Sequence, residues 1–450
     1  MLRSINPYTN ALIEEHTEDA ESVIQTKLLQ SDTAFSYWKN ISIEARAYIL
    51  KDIAKRLLEE KHTFANMITE EMGKPISESI LEIEKSAWVC TYYAENAAQT
   101  LSPTYPKTES YKNIVRYEPM GVLLAIMPWN FPFWQVFRCF APNVMAGNTM
   151  LLKHASNVQQ CAKAIEHLIT RCYDYPLLTN ICISSKSVDH IIRNSIVKGI
   201  TLTGSEHAGM MVAHSSGHAI KKSVLELGGS DAFIVLKDAD ITKAVKHAIL
   251  GRFLNAGQSC IAAKRFFIEE VVYESFIQAF TDQMNQLICG DPKEPNTQIG
   301  PLAKPEFYTE LHQHLQQLKS EGGNIVQAKT PSPYIFPPTL VTDLPKHSIV
   351  HSTELFGPIA CVFRVSGPEE AIELTNYSPY GLSSSLWTAD IEKAIKLSEQ
   401  IEAGAVFINQ FSKSDPRLPF GGIKKSGYGR ELGDEGLKEF VNVKTVSIEN

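Results

Sequence analysis

Apolar residues in the first hundred positions recur at the spacing of amphipathic helices. Ala45, Tyr48, Ile49, Ile53 and Leu57 lie three or four residues apart, and the Gly-Lys-Pro sequence at 73–75 ends this pattern. A second helical pattern follows over about 77–101. The sequence therefore predicts that its first hundred residues are mainly helical, followed by a short strand over 114–119.

Short apolar runs alternate with helix-length segments from residue 121 onward. They predict strands over 121–127, 149–153, 181–184 and 199–203, and helices over 133–146 and 159–171. Strands that alternate with helices of this length indicate βαβ units and a parallel sheet.

The alternation restarts after Gly228 and Gly229, with predicted strands over 232–236 and 266–268 and helices over 242–254 and 273–288. A second α/β domain is therefore expected to begin near Gly228, and its proline-rich segment over 331–338 is predicted to be a loop. The alternating pattern over 441–450 predicts a strand that pairs with 114–119 or with another subunit.

Composition and charge exclude several classes of protein. The chain has 450 residues, of which 44% are hydrophobic and 21% charged, a globular composition with room for two or three domains. A net charge of −7 gives no basic surface for nucleic acid. No apolar run approaches the roughly 18 residues of a membrane helix. Eight scattered cysteines without a secretory signal indicate a reducing compartment, so we expect a cytoplasmic protein.

Cys260 is the candidate nucleophile because it follows a polar, glycine-containing loop between a predicted helix and a predicted strand. Loops at the ends of such elements commonly present catalytic side chains. A thiolate is the strongest nucleophile among ordinary side chains. The alternative is a structural cysteine in a turn.

Glu226 is the candidate general base. It lies within an apolar run, just before the glycine pair at 228–229. Apolar neighbours disfavour its charged form and raise its pKa towards the range useful for a base. The alternative is an exposed glutamate on an edge strand.

Two polar side chains follow the strand predicted over 121–127. Asn130 lies between prolines and aromatic residues, which stiffen the loop and fix the amide as a donor for a developing oxyanion. Arg138 lies in an otherwise apolar helix, where a guanidinium either pairs with a protein carboxylate or binds a substrate carboxylate.

Neither standard phosphate-binding fingerprint occurs in the sequence. Instead, the strand over 199–203 runs into Gly204 and Ser205, and a helix that begins there could direct its N–H groups at a pyrophosphate. Lys153, at the end of another strand, is a candidate for a ribose or a phosphate. His214 and His218 have helical spacing but lack a zinc motif, so no metal site is expected.

The order of eight motifs resembles the aldehyde dehydrogenase family over nearly the whole chain, and most closely its bacterial succinate-semialdehyde dehydrogenases. The matching segments are EMGKP at 71–75, PWNFP at 128–132, LK at 152–153, TGS at 203–205, LELGG at 225–229, GQSC at 257–260, ELFGP at 354–358 and PFGG…SGYGRE at 419–431. The resemblance implies an α/β aldehyde dehydrogenase fold, with a Rossmann-like cofactor domain, an α/β catalytic domain and a β oligomerisation arm.

The resemblance also implies roles for individual residues. Cys260 attacks the aldehyde, Asn130 holds the oxyanion, and Glu226 activates the water that hydrolyses the thioester. The remaining matches would bind the nicotinamide cofactor: Lys153 and Glu354 at its riboses, Gly204 and Ser205 at the pyrophosphate, and Trp129, Leu227 and Phe356 at the nicotinamide end.

Three further positions refine these expectations. NAD-preferring relatives often carry a glutamate where this chain has Ser156, so NADP use is predicted, with NAD possible. Arg138 and Ser414 match positions that line the pocket for the succinate-semialdehyde carboxylate. Leu254 departs from relatives that carry a second carboxylate-binding arginine there.

The implied domains are a cofactor-binding domain over 1–110 and 121–227, a catalytic domain over 228–410, and an arm over 111–120 and 431–450 that forms a homodimer or homotetramer. Three other functions remain open: a dehydrogenase for another aldehyde such as glutarate semialdehyde, a catalytically silent structural or binding protein, and a cysteine hydrolase or acyltransferase without cofactor. Intact Cys260, Glu226 and Asn130 argue against the second, and the lack of a motif that nominates a histidine partner argues against the third.

Overall fold

The computed structural model describes residues 1–449. Its helices are α1 (Glu21–Trp38), α2 (Ile43–Glu59), α3 (Lys61–Met72), α4 (Ile76–Thr100), α5 (Trp134–Ala146), α6 (Gln159–Thr170), α7 (Val188–Arg193), α8 (Glu206–His218), α9 (Ile241–Phe253), α10 (Glu270–Met284), α11 (Pro305–Ser320), α12 (Pro368–Asn376), α13 (Ile391–Ser398) and α14 (Gly433–Lys438).

Its strands are β1 (Leu2–Ile5), β2 (Leu12–His16), β3 (Lys112–Pro119), β4 (Val122–Met127), β5 (Thr149–His154), β6 (Leu178–Asn180), β7 (Val197–Thr203), β8 (Lys222–Glu226), β9 (Asp231–Val235), β10 (Ala263–Glu269), β11 (Asn324–Gln327), β12 (Thr339–Thr342), β13 (Ile359–Val365), β14 (Tyr380–Gly381), β15 (Ser383–Trp387), β16 (Ala405–Ile408), β17 (Ile423–Lys424), β18 (Gly427–Tyr428) and β19 (Val441–Ile448).

A six-stranded sheet with the order β18-β8-β7-β4-β5-β6 forms one half of the molecule, and only β18 runs antiparallel to its neighbour. Every residue of β4 is buried, because helices cover both faces. Leu123 and Ala125 pack with α4, α5 and α6, whereas Leu124 and Ile126 pack with α1, α7 and α8. This explains why the strand appears in the sequence as a continuous apolar run.

A seven-stranded sheet with the order β11-β12-β13-β10-β9-β15-β16 forms the other half, and only β11 is antiparallel to its neighbour. Its core contains α9, α10 and α11. The strand order of the six-stranded sheet reverses between β4 and β7. In open parallel sheets, ligands bind where the order reverses, beyond the carboxyl ends of the strands.

The C-terminal segment connects the separate parts of the fold. Its strand β16 forms an edge of the seven-stranded sheet, and β18 forms an edge of the six-stranded sheet. Strand β19 pairs antiparallel with β3, from Val441 opposite Pro119 to Ile448 opposite Lys112. The predicted pairing of the C-terminal strand with residues 114–119 is therefore confirmed. Asn450, the last residue of the predicted arm, lies outside the described residues.

The N-terminal prediction missed a hairpin. Strands β1 and β2 pair before the first helix, and the buried Ser4 hydroxyl joins the His16 ring to the Glu71 carboxylate. The same carboxylate accepts the backbone N–H groups of Gln160 and Cys161 at the start of α6. These contacts are remote in sequence, so the local apolar pattern carried no signal for them.

The strand predicted over 181–184 is wrong. The strand at this edge is β6, which ends at Asn180. Beyond it, the N–H groups of Cys182 and Ser184 donate to the side chains of Asp19 and Glu18, not to another strand. Among the described residues, no helix combines the length and apolar character that crossing a membrane requires.

Candidate active site

The loop that carries Cys260 has an unusual backbone. It follows α9 and precedes β10, and three consecutive residues, Asn255, Ala256 and Gly257, have positive φ angles of 54°, 51° and 73°. A side chain on Gly257 would collide with the Arg252 guanidinium and the Gly357 backbone. Left-handed alanine is strained, and such strain persists only where surrounding contacts enforce it.

Two buried cations supply those contacts. Arg252 donates to the carbonyl oxygens of Gly257 at 2.8 Å, Gly357 at 2.7 Å and Ala263 at 2.9 Å. Lys264 donates to the carbonyl oxygens of Ser259 at 2.9 Å and Cys260 at 2.6 Å. The carbonyl groups on both sides of the nucleophile are therefore fixed by charge-assisted hydrogen bonds.

Cys260 lies where two cavities meet and lines both of them. Burial raises the pKa of its thiol to about 12, although the positive charges of Arg138 and Lys264 act in the opposite direction. A thiol with so high a pKa is mostly neutral at physiological pH, so any reaction that uses its sulfur as a nucleophile first needs a base.

Asn130 follows β4 and lines the larger of these cavities. Its amide nitrogen donates to the Gln258 carbonyl at 3.0 Å, which fixes the amide beside the nucleophile loop. A primary amide has two N–H donors, so one remains for a ligand. The Cys260 backbone N–H makes no hydrogen bond within residues 1–449. Together these two groups form a candidate oxyanion site.

Glu226, the last residue of β8, is buried with 2% of its surface exposed. Neither carboxylate oxygen has a hydrogen-bond partner among the described residues. Burial and the neighbouring Glu431 raise its pKa well above the usual range, against the charges of Arg138 and Arg430. The side chain is buried and its pKa is raised, as predicted, but its neighbours include charged groups and it lines neither of the two cavities.

Arg138 projects from α5 and forms an ion pair with Glu431, which follows the C-terminal SGYGR sequence. It also donates to the Thr203 hydroxyl at 3.1 Å and packs over the Phe420 ring. Sequence reasoning assigned no role to Glu431. The available signal was the expectation that a buried arginine has a carboxylate partner.

The smaller cavity has a volume of about 210 Å³ and is lined by Cys260, Arg138, Ser414 and Leu254. The structure thus brings the predicted nucleophile and both predicted carboxylate-binding residues to one cavity. Lys85, from α4, lines it as well and donates to the Ser414 hydroxyl at 2.8 Å. Sequence reasoning missed Lys85, which has no local signature apart from its place on a mostly apolar helix face.

The larger cavity, of about 570 Å³, contains most of the predicted cofactor residues: Trp129, Gly204, Ser205, Leu227, Glu354 and Phe356. Trp129 stacks on Phe307 and meets Phe356 edge-on, which forms an aromatic end next to Cys260. Ser205 caps the start of α8, where free N–H groups favour a phosphate. These features fit a dinucleotide, with the nicotinamide end close to the thiol.

Glu354 connects this cavity to the nucleophile loop. Its carboxylate accepts the Gly229 N–H at 3.0 Å and lies 3.4 Å from the Lys264 ammonium. Because Lys264 also holds the carbonyl oxygens of Ser259 and Cys260, one buried cation bridges a predicted ribose ligand and the loop of the nucleophile.

Lys153 and Ser156 do not line the larger cavity. Ser156 opens onto a third cavity of about 540 Å³ that also contains Arg3 and Lys304. Burial lowers the pKa of Lys153, and the nearby charge of Lys304 lowers it further. Lys153 and Lys304 thus supply positive charge near Ser156, whereas Arg3 is paired with Glu15 and Glu306 lines the same cavity.

Residues 1–449 contain no group of three or more His, Cys, Asp or Glu side chains placed to hold a metal ion. His214 and His218 are both exposed on α8. The eight cysteines are all free thiols, and five of them are buried.

Comparison with known proteins shows which family has this arrangement of residues. The model of the aldehyde dehydrogenase family matches residues 1–446. The chain belongs to the aldehyde dehydrogenase family. It is 44% identical over 451 residues to a probable NADP(+) succinate-semialdehyde dehydrogenase of Synechocystis sp., with 99% of each chain covered.

Two further relatives agree with this assignment. A succinate-semialdehyde dehydrogenase [NADP(+)] 1 from Mycobacterium ulcerans is 41% identical over 453 residues and 99% of each chain. The crystal structure of succinic semialdehyde dehydrogenase from Streptococcus pyogenes, in complex with NADP+, has a TM-score of 0.97 and 34% identity over 100% of both chains. The expected aldehyde dehydrogenase fold is confirmed, and the chain is an NAD(P)-dependent oxidoreductase.

The raised pKa of the Cys260 thiol gives a testable pH dependence for this aldehyde dehydrogenase. Alkylation by iodoacetamide requires the thiolate, so its rate at Cys260 should rise about tenfold per pH unit from pH 7 to pH 10, without a plateau. Peptide mass spectrometry measures the rate, with the partly exposed Cys289 in the same sample as a comparison. A plateau below pH 9 would show that a neighbouring base already ionises Cys260.

Proposed function

We propose that this aldehyde dehydrogenase oxidises succinate semialdehyde to succinate, with NADP as the hydride acceptor. The observation that carries the proposal is the position of Cys260 between two cavities. The smaller one presents Arg138 and Ser414, which suit a carboxylate, and the larger one suits a dinucleotide. The names of the relatives from Synechocystis sp. and Mycobacterium ulcerans support the same substrate and cofactor.

Chemistry begins when the Cys260 thiol gives its proton to a water molecule in the cavity, which passes it to solvent, and the sulfur attacks the aldehyde carbon. The carbonyl oxygen then becomes an oxyanion that accepts hydrogen bonds from the Asn130 amide and the Cys260 backbone N–H. Because Asn130 is held by the Gln258 carbonyl, its free N–H needs little reorganisation when charge develops.

Collapse of this thiohemiacetal transfers a hydride towards the aromatic end of the larger cavity and leaves a thioester on Cys260. The bound nicotinamide supplies the hydride acceptor. The substrate carboxylate is held by Arg138 and Ser414, which orient the carbon chain and keep the aldehyde carbon on the thiol side of the cavity.

Glu226 acts as the base that activates water to hydrolyse the thioester. Its carboxylate has no hydrogen bonds to break, so the side chain can rotate from its buried position towards Cys260 at little energetic penalty. Its raised pKa gives it the basicity that proton abstraction requires. The acid leaves as a carboxylate, its proton goes to the Cys260 thiolate that is set free, and Glu226 gives the proton it took from water to solvent.

Ser156 and its cationic surroundings support the preference for NADP. A neutral hydroxyl can donate a hydrogen bond to a 2′-phosphate, and Lys153 and Lys304 contribute positive charge nearby. In this proposal Lys153 binds the adenosine ribose or its phosphate, Gly204 and Ser205 bind the pyrophosphate, and Glu354 binds the other ribose.

The two large sheets support the division of the chain into a cofactor-binding domain and a catalytic domain. Residues 1–110 and 121–227 form the cofactor-binding domain, residues 228–410 form the catalytic domain, and residues 111–120 and 431–450 form an arm for a homodimer or homotetramer. The β3–β19 ribbon has only two strands and exposes Val443 and Ile448. An isolated two-stranded ribbon is marginally stable, so a second subunit would cover it.

The activity test measures NADPH formation at 340 nm with succinate semialdehyde for the wild type and for Cys260→Ala. We expect robust turnover by the wild type and none by the variant, because no thioester can form. A panel with glutarate semialdehyde and unbranched alkanals is the control for substrate class. Failure of the wild type with succinate semialdehyde, but turnover of another aldehyde, would refute the substrate while leaving the family intact.

The cofactor test replaces Ser156 with Glu. A carboxylate there repels a 2′-phosphate and accepts hydrogen bonds from ribose hydroxyls, so kcat/KM for NADP should fall about 10- to 100-fold while that for NAD is retained or rises. Ser156→Ala is the matched control and should lose only a few-fold, since it removes one hydrogen bond. A tenfold preference of the wild type for NAD would contradict the proposal.

The assembly test uses light scattering on the purified protein, whose chain mass is 50.2 kDa. The expected mass is that of two or four chains, and Val443→Asp should lower it by placing a charge in the interface. Ile391→Asp, at an exposed apolar position on α13, is the matched control. A monomeric wild type would refute the role of the arm.

A further inference from the structure

Lys85 is a cation in the smaller cavity without an ionic partner. Within residues 1–449, no carboxylate oxygen lies within 4.0 Å of its ammonium group, whereas Lys74, eleven residues before it on the chain, is paired with Glu82. The Lys85 ammonium donates to the Ser414 hydroxyl and lies 4.3 Å from the centre of the Trp134 ring. The side chain is half-buried, and a cation in such a place with one neutral hydroxyl and an aromatic ring beside it gains from binding an anion.

We propose that Lys85 is a specificity-determining residue that binds the substrate carboxylate together with Arg138 and Ser414. This inference rests on the proposed oxidation of an acidic aldehyde. Leu254 lines the same cavity and adds an apolar side chain there, so it offers no cation for the carboxylate. Lys85 supplies one from α4, and its bond to Ser414 places the ammonium and the hydroxyl at one point.

The Arg138 guanidinium alone is poorly suited to this task. Its Nε is engaged by Glu431 and one terminal nitrogen by the Thr203 hydroxyl. Part of its charge is therefore already neutralised within the protein, and a substrate carboxylate would meet an incomplete fork. A second, unpaired ammonium restores a net positive potential at the carboxylate end of the cavity.

The charges around Lys85 define its titration. Burial lowers the pKa of Lys85 to about 8, with Arg138 on α5 and the exposed Lys413 acting in the same direction and with Asp415 and Glu82 acting against them. Glu78 lines the same cavity, and burial raises its pKa to about 7. Lys85 is thus charged below pH 8 in the free enzyme and loses its charge as the pH rises through that value.

The test compares succinate semialdehyde with butanal, which has the same carbon chain and no carboxylate. The readout is the ratio of the two kcat/KM values, in which the contributions of Cys260 and Glu226 cancel. For Lys85→Met we expect this ratio to fall about 10- to 100-fold, because the KM for the acid rises much more than the KM for butanal. Lys85→Arg should restore most of the ratio.

The pH profile separates binding from a structural role. In the wild type the ratio should decline above pH 8, whereas in Lys85→Arg this decline should move beyond pH 9. Any decline near pH 7 that all variants share belongs to Glu78. Lys55→Met, which removes an exposed charge from α2, is the control for net charge. If Lys85→Met does not fold, the wild-type and Lys85→Arg profiles decide the question.

Protection of Cys260 from iodoacetamide by succinate provides a measurement independent of turnover. Succinate should protect the wild type at concentrations about 10-fold or more below those needed for Lys85→Met. Equal protection of both proteins, or equal loss of both substrates in Lys85→Met, would overturn the role of Lys85. A wild type with no preference for the acid over butanal would instead overturn the proposed substrate, a result that no Lys85 variant is needed to detect.

Discussion

Two buried cations, Arg252 and Lys264, bind backbone carbonyl oxygens in and beside the Cys260 loop. The geometry of the active site depends on this constraint. Neither cation has its charge neutralised by a carboxylate alone, and backbone dipoles of the Cys260 loop complete its solvation. The left-handed turn at 255–257 accompanies these contacts, since the Gly257 carbonyl at its end accepts from Arg252. The thiol is thereby fixed at the point where the two cavities meet.

Charges of opposite sign surround Glu226. Arg138, Glu431 and Glu226 are close to one another in a region with little solvent. Arg138 is paired with Glu431, and its charge, together with that of Arg430, acts against the raised pKa of Glu226. A carboxyl group without hydrogen bonds, such as that of Glu226, is free to move, whereas a carboxylate locked in an ion pair would be a structural element.

Much of this structure could be predicted from the sequence because it follows from local patterns. The buried strand β4 and the loop that presents Asn130 appear as a continuous apolar run followed by a proline-bracketed turn. The loop that carries Cys260 and the burial of Glu226 were likewise predicted from their immediate neighbours. The N-terminal hairpin was not found, since its stability comes from Glu71, which is remote in sequence.

The sequence did not predict Glu431 and Lys85 for the same reason: their contacts are with residues remote in sequence. Glu431 is linked to the site only by its ion pair with Arg138, and Lys85 only by its hydrogen bond to Ser414. Both contacts join segments from opposite ends of the chain, and neither residue belongs to a pattern of spacing or polarity. The sequence alone indicated that Arg138, in an apolar helix, needs an anionic partner. Only the structure identifies that partner as Glu431.

The C-terminal segment has a consequence for biosynthesis. Because β18 completes the edge of a sheet built from the first half of the chain, and Glu431 neutralises an arginine on α5, the amino-terminal half cannot reach its final state until residues 427–431 have emerged from the ribosome. The nascent chain must carry an open sheet edge and an unpaired buried cation throughout translation. Such a topology favours slow maturation and a need for protection from aggregation during synthesis.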